Sequence, residues 1–464
     1  MPRMDKVILV SSDGHASMPP DVWSEYLEPR YHDLLPRLRQ EHELFAKSMW
    51  LLNNLTLSPE ACEVFDQERL YRSGRWEGLW DAAVRLAEMD REGVAAEVIY
   101  HGDFRAADLF HNTMNAAYPL EVVEAGVRAF DRWAADNFGT VSDRFLLVAP
   151  IGACADMDAA VAEAAWVADH GFVGTYAPGF ATYPGQRPLS DAYWEPLWSL
   201  CAERGLALVV HGGFGFDQGV AFDSVEAAHA QVVAAQGNDA DLIAALAGGV
   251  FNAEFFSDLR CRQAMWQLMF SGAFDRHPDL KLMMTEVRAD WIPATLGHLD
   301  AVYEQNRADL PARRRPSEYW QTNCLAGVSF MHKAEVEMRH EIGVETIDFG
   351  RDYPHTEGTW PNTGDYLRGL FAGVPDGEVR LMLGENGIRF LGLDQVKLAA
   401  IADDIGPTID EITRGASEPT PELIAHFDDR CGYLKPAEGA SRVAELEGML
   451  RTDLARAGVN VGAH

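Results

Sequence analysis

The feature that most limits how this chain folds is a repeated pairing of a short apolar run with a metal-ligand residue at its end. Residues 7–10 lead into Asp13-Gly14-His15, residues 97–100 into His101, residues 206–210 into His211, residues 281–285 into Glu286, and residues 347–349 into Asp352 and His355. Short apolar runs bounded by turn residues read as buried strands. Any one of these ligand types is as readily a satisfied histidine or a solvated acid. Five strands that all carry one at the same end argue for a shared site.

Helical patterns separate the strands. Residues 81–92 form a short helix stopped by Gly93, and residues 120, 123, 127, 130, 134 and 138 are apolar at the 3.6-residue period of a long amphipathic helix. Further strands are expected at 145–151, 171–176 and 322–328, and further helices at 156–170 and around Trp194, Leu197, Trp198 and Cys201. Strand and helix thus alternate eight times, which predicts an α/β (β/α)8 TIM barrel with its site at the C-terminal ends of the strands. The 464 residues divide into a barrel over 1–394, with insertions at about 17–80 and 214–272, and a helical C-terminal extension over 395–464 broken by Pro407, Pro419, Pro421 and Pro436. The first insertion is expected to wall the mouth of the site. The extension is expected to pack on the barrel or on a second subunit, and a homo-oligomer is the expected assembly.

Composition removes several function classes. A formal charge of −32 gives no basic face for nucleic acid. No apolar run approaches a membrane span, and the four apolar residues 7–10 are too few for a signal sequence, so no membrane partner and a cytoplasmic location are expected. The six cysteines are scattered without a C-x-x-C pair, as in a reducing compartment. There is no G-x-S-x-G elbow, His340-Glu341 lacks the second histidine of H-E-x-x-H, and the glycines of 212–216 lack dinucleotide spacing. Serine or cysteine nucleophilic catalysis is therefore not expected.

Metal chemistry is. Asp13 and His15, two apart, can share one face of a strand end, and His211 and Asp352 complete a nitrogen and oxygen donor set suited to zinc, manganese or iron. His101, Glu286 and His355 bring the donors to seven. That surplus predicts two divalent ions with Glu286 as the bridge, and Asp352 and Glu286 as the catalytic carboxylates. A role in orienting a ligand through a hydrogen bond stays open for His101 and His355. Arg288 and Arg351 stand beside ligands and either clamp a substrate carboxylate or neutralise the acidic shell. Phe214 and Phe216 are candidate walls for an apolar small-molecule substrate.

The motifs Ser12-Asp13-Gly14-His15, Gly272-Ala273-Phe274-Asp275-Arg276-His277-Pro278-Asp279-Leu280-Lys281, Thr285-Glu286 before Trp291-Ile292-Pro293, Asp352-Tyr353-Pro354-His355-Thr356-Glu357-Gly358-Thr359 and Leu383-Gly384-Glu385-Asn386 together resemble the amidohydrolase-related family that includes the aminocarboxymuconate-semialdehyde decarboxylases. The likeness spans nearly all of residues 5–394. It implies a metal-bearing barrel and makes Asp13, His15, His211 and Asp352 ligands by position. Decarboxylase-type members typically place a histidine where Glu286 stands, many relatives carry proline at the position of His101, and residues 172–178 hold no lysine of the kind that bridges dinuclear hydrolases. Extra His and Glu donors are similar to the non-haem dinuclear iron monooxygenases built on this fold. The resemblance to that branch implies two irons, dioxygen, an electron donor and hydroxylation of a terpenoid- or amino-acid-like acid. The alternatives are a zinc- or manganese-dependent hydrolase or non-oxidative decarboxylase, and a non-catalytic metal-bearing subunit.

Overall fold

Apolar strands that must bury both faces satisfy their backbone only by pairing in parallel and accepting helices outside. The computed structural model does this with eight strands: β1 (Leu9–Ser11), β2 (Val94–His101), β3 (Phe145–Ala149), β4 (Gly174–Tyr176), β5 (Ala207–Val210), β6 (Leu282–Thr285), β7 (Cys324–Val328) and β8 (Ile347–Phe349). Each pairs in parallel with the next in chain order, with a two-residue strand, His15–Ala16, added beside the end of β2. The structure describes residues 5–43, 63, 76–102, 108–110, 118–152, 154–179, 181–182, 185–217, 230, 259–329, 331–355, 358–415, 419–425 and 442–459. Much of the two expected insertions, including the expected wall at the mouth, lies outside the described residues.

Hydrogen bonds between the ends of β1 and β8 close the ring. Ser12 N donates to Phe349 O (2.7 Å), Asp352 N to Asp13 O (3.0 Å) and His15 N to Tyr353 O (2.8 Å). The seam therefore runs through the two segments that carry Asp13, His15 and Asp352. The result is a (β/α)8 barrel, as the alternation of strands and helices predicts.

The helices form where local signals tell them to. In α1 (Ala82–Glu92) the Asp81 carboxylate caps the amides of Ala83 and Val84, and Gly93 ends the helix at φ 73°. Between β2 and β3, α2 (Leu120–Ala134) turns Val123, Val127 and Phe130 onto the sheet. Asp156 caps α3 (Met157–Asp169), and Gly205 ends α4 (Glu195–Arg204) at φ 72°. The circuit continues with α5 (Leu259–Phe270), α6 (Ile292–Asn306), α7 (Pro316–Asn323) and α8 (Thr363–Phe371). Among the described residues, no helix is long and apolar enough to cross a membrane.

The C-terminal segment packs on the barrel. After α9 (Gln395–Ile405) the chain pairs with the entry to β1, with Val7 N donating to Pro407 O (2.9 Å) and Ile409 N to Asp5 O (2.9 Å). The last helix, α10 (Val443–Arg456), is held on α5 by one buried carboxylate oxygen: Oδ2 of Asp453 accepts from Gln263 Nε2 (2.9 Å), Trp266 Nε1 (2.9 Å) and Gln267 Nε2 (3.0 Å).

Asp131 of α2 is fully buried, with the carboxylate of Glu163 beside its own. Burial, and then the neighbouring Glu163 carboxylate, push it well above the ordinary aspartate range. Its contribution to stability is whole below that ordinary range and falls as pH rises through the raised value. Asp131→Asn, a neutral isostere whose amide can donate to the Glu163 carboxylate, is therefore expected to stabilise the protein at neutral pH by roughly 1.5–3 kcal/mol, the scale of a hydrogen bond to a charged group. Urea unfolding at two pH values checks this, the gain shrinking at the acidic one. In the same assay Asp453→Ala, which strands three donors, is expected to lose about 1–3 kcal/mol at neutral pH.

Candidate metal centre

The site lies at the C-terminal rim, where the closing seam puts Asp13, His15 and Asp352 side by side and β5 delivers His211 across from them. His15 Nε2 lies 3.1 Å from Asp352 Oδ1 and 3.6 Å from Asp13 Oδ1, and His211 Nε2 lies 3.3 Å from Asp13 Oδ1. His355 Nδ1 is 3.0 Å from Asp352 Oδ1, and its ring stacks on that of His15 with centroids 4.0 Å apart. Two groups of donors result among the described residues, Asp13 with His15 and His211, and His15 with Asp352 and His355, all buried.

Two of the three histidines, His15 and His211, are oriented from behind. His15 Nδ1 sits 3.1 Å from the carbonyl of His101, an atom that only accepts, so Nδ1 carries the proton and Nε2 faces the carboxylates with its lone pair. Nε2 is buried and makes no hydrogen bond even with Asp352 Oδ1 at 3.1 Å. His211 Nδ1 lies 2.9 Å from Glu286 Oε2, which turns Nε2 to Asp13. The other oxygen of Asp13 accepts from the Ser329 hydroxyl.

Burial sets the electrostatics. It raises the Asp13 carboxyl above its ordinary value despite the nearby His211. It holds His15 well below the usual histidine range, helped by His355 and His211. Burial also opposes charge on His211, but Glu286 and Asp13 outweigh it and raise that ring's value. Carboxylates taken out of water beside a histidine that resists protonation are stabilised by a cation. A mixed His and Asp set that converges with His15 Nε2 left unbonded fits a divalent ion of the manganese, zinc or iron type.

Several expected site residues have other positions. Among the described residues, Glu286 belongs to neither donor group. It adopts φ 55° at the end of β6, a left-handed conformation that swings its carboxylate to the Nδ1 edge of His211. A side chain at residue 212 would collide with that carboxylate, so Gly212 makes the approach possible. His101 belongs to neither donor group. Strand alternation turns Tyr100 toward His211 (centroids 4.9 Å apart), while the His101 ring packs against Phe110 (5.0 Å), Tyr176 (5.2 Å) and Phe130 (6.1 Å).

Arg351 is not a substrate clamp. It is fully buried and binds Glu97 through Nε (2.6 Å) and Nη2 (2.9 Å), and Glu92 through Nη1 (3.0 Å). Arg288 pairs with Asp290 two residues on. Phe214 is buried in the loop after β5, and of Phe216 only the backbone is described, in a two-residue strand paired with Ala181–Thr182. Sequence reasoning passed over Tyr100, Ser329, Arg85 and Glu97. Glu97 left a trace: it is a lone acid inside the apolar run of β2.

The model of the family described as amidohydrolase matches residues 13–393. No protein of curated function matches the chain. Among solved structures, an amidohydrolase from Mycobacterium avium subsp. paratuberculosis superposes with TM-score 0.55 at 18% identity, over 84% of this chain and 100% of its own. The 5-carboxyvanillate decarboxylase of Sphingomonas paucimobilis gives 0.52 at 17%, over 83% and 99%. A dihydroxybenzoic acid decarboxylase of a Polaromonas species, with bound manganese and 2-nitroresorcinol, gives 0.51 at 16%, over 84% and 98%. At these identities the similarity establishes the fold.

The orienting contact of Glu286 yields a direct test. Glu286→Gln keeps an oxygen for the His211 Nδ1 proton but removes the charge behind it. Affinity for Mn2+, measured by calorimetric titration, is expected to fall about 10-fold or more, within the roughly 10–100-fold range for residues that support metal ligands.

Proposed function

The chain belongs to the amidohydrolase family, and from that premise we propose that it is a divalent-metal enzyme that removes the carboxylate of a small aromatic acid without an oxidant. The observation that carries the metal reading is a pair of buried donor groups joined at His15, with Asp13 and His211 on one side and Asp352 and His355 on the other, and with His15 Nε2 unbonded at 3.1 Å from a carboxylate oxygen. The decarboxylases among the similar structures support the choice of reaction.

When bound, a divalent ion supplies Lewis-acid polarisation of a substrate oxygen and lowers the pKa of water. The protein's own part is to orient and to move a proton. In decarboxylation the bond between ring carbon and carboxylate breaks, its electron pair stays on the ring, and a proton takes the place of the departing carbon dioxide. Asp352 and His355, 3.0 Å apart, form the pair able to hold and deliver that proton. Asp352 is fixed for this by its left-handed backbone (φ 54°) and by its amide bond to Asp13 O. Hydrolysis of a small carboxylate-bearing substrate is the second reading, in which the same pair takes a proton from water.

The dinuclear iron monooxygenase suggested by the surplus of donors has less behind it. Its required bridge, Glu286, faces Nδ1 of His211, and the similar structures described above are an amidohydrolase and two decarboxylases. The group of His15, Asp352 and His355 leaves the ion count as a measurable difference between the two readings.

Protein stripped with a chelator is expected to lose activity and regain it with Mn2+ or Zn2+. Under strict exclusion of oxygen it is expected to release carbon dioxide from a member of a hydroxybenzoate panel. Asp352→Asn is expected to slow turnover by roughly 10^2–10^4-fold, the scale of a lost acid–base group. Turnover that needs dioxygen and a reductant, and gives a product one oxygen atom heavier, would return the assignment to the oxygenase.

A further inference from the structure

Behind the seam lies a buried ion cluster that none of the chemistry above uses. Glu97 of β2, wholly buried, accepts from Arg85 Nε (2.7 Å) of α1 and from Arg351 Nε (2.6 Å) and Nη2 (2.9 Å). Arg85 in turn donates through Nη1 to the carbonyl of the metal-ligand residue His15 (2.9 Å) and to Gly78 O (3.3 Å). Arg351 directly precedes the ligand Asp352. The ring of Tyr353, which directly follows it, lies 4.0 Å from the Arg85 guanidinium carbon and 5.1 Å from that of Arg351. Between Asp13 and His15 the chain has no room to drift, since a Cβ on Gly14 would stand 2.5 Å from Arg85 Nη2 and 2.8 Å from Glu97 Cδ.

We infer that Glu97 is a positioning residue for the metal centre: its single carboxylate draws Arg85 and Arg351 together and so sets the distance between the β1 ligands Asp13 and His15 and the β8 ligand Asp352. The inference rests on the metal reading proposed above. Its physical basis is that two like-charged guanidiniums in a buried space repel unless an anion lies between them, and each is tied to a different side of the seam. Backbone hydrogen bonds close the seam, but they hold the strand ends and not the carboxylate and imidazole tips. The cluster fixes the carbonyl of His15 and the residues flanking Asp352, which determine where those tips go. Donor atoms only about 3 Å apart leave little tolerance for displacement, and partners that support metal ligands act through this kind of restraint.

The test is metal binding, read separately from turnover. Apo protein and the variants Glu97→Gln and Arg85→Lys are titrated with Co2+ while the visible ligand-field bands are recorded, with near-ultraviolet circular dichroism as a check on folding. Asp453→Ala, destabilised at the α5–α10 contact far from the rim, serves as a control for loss of stability alone. Glu97→Gln is expected to bind Co2+ about 10–100-fold more weakly, with altered bands, and to lower kcat while KM stays near that of the parent. Arg85→Lys retains the charge but loses the fork that reaches His15 O, and is expected to shift the bands with a smaller loss of affinity. Asp453→Ala is expected to keep parent affinity and bands. If Glu97→Gln does not fold, Arg85→Lys decides by its bands. Parent-like affinity and spectra in a folded Glu97→Gln, or in Arg85→Lys, would reduce the cluster to a structural role and leave the metal reading intact. A parent protein that takes up no Co2+ would overturn both.

Discussion

Closing the barrel between its first and last strands is the constraint on which the site depends. Parallel strands leave two edges, and this chain joins them through the amides and carbonyls of Ser12 with Phe349, Asp13 with Asp352 and His15 with Tyr353. Those bonds bring together residues more than three hundred positions apart, and three of the joined residues are metal-ligand types. An error of one residue in that register would turn each side chain to the opposite face. The chemistry at the rim and the integrity of the barrel are thus consequences of one set of hydrogen bonds.

What the seam brings together is electrostatically costly without a cation. Two carboxylates and three imidazoles are buried, with Asp13 raised by desolvation and His15 depressed by it. Behind them the protein answers charge with charge, through Glu97 between two arginines and Glu286 against His211. Burial alone would raise the Glu97 carboxyl, yet Arg351 and Arg85 hold it below the ordinary glutamate value. At the rim itself His15 Nε2 faces Asp352 Oδ1 across 3.1 Å without a hydrogen bond, which suits a nitrogen whose lone pair is kept for an ion.

The chain shows its barrel in outline before any coordinates. The eight strands fall where apolar runs stop, and α1, α3 and α4 end or begin at the Gly and Asp residues that cap them. Four of the expected ligands, together with His355, meet because strand ends in a barrel share one rim. The departures have local causes that spacing does not encode. His101 packs among Phe110, Tyr176 and Phe130 because the alternation points Tyr100 at His211, and Glu286 is redirected by a left-handed φ that its residue type gives no reason to expect. Arg351 looked available to a substrate because its partners, Glu92 and Glu97, are more than two hundred and fifty residues away in sequence. A count of donors suggests two ions, but it cannot tell which edge of an imidazole a carboxylate meets, and Glu286 meets Nδ1 of His211.

The central claim is that Asp13, His15, His211 and Asp352 enclose one divalent cation while Glu286 stands outside its coordination. Anomalous diffraction from crystals grown with Mn2+ tests this most directly. The account expects a single strong manganese peak about 2–2.3 Å from donor atoms of those four residues, with Glu286 Oε2 still on His211 Nδ1. A peak ligated by Glu286, a pair of peaks bridged by it, or no peak at the rim in an active, manganese-loaded crystal would contradict it.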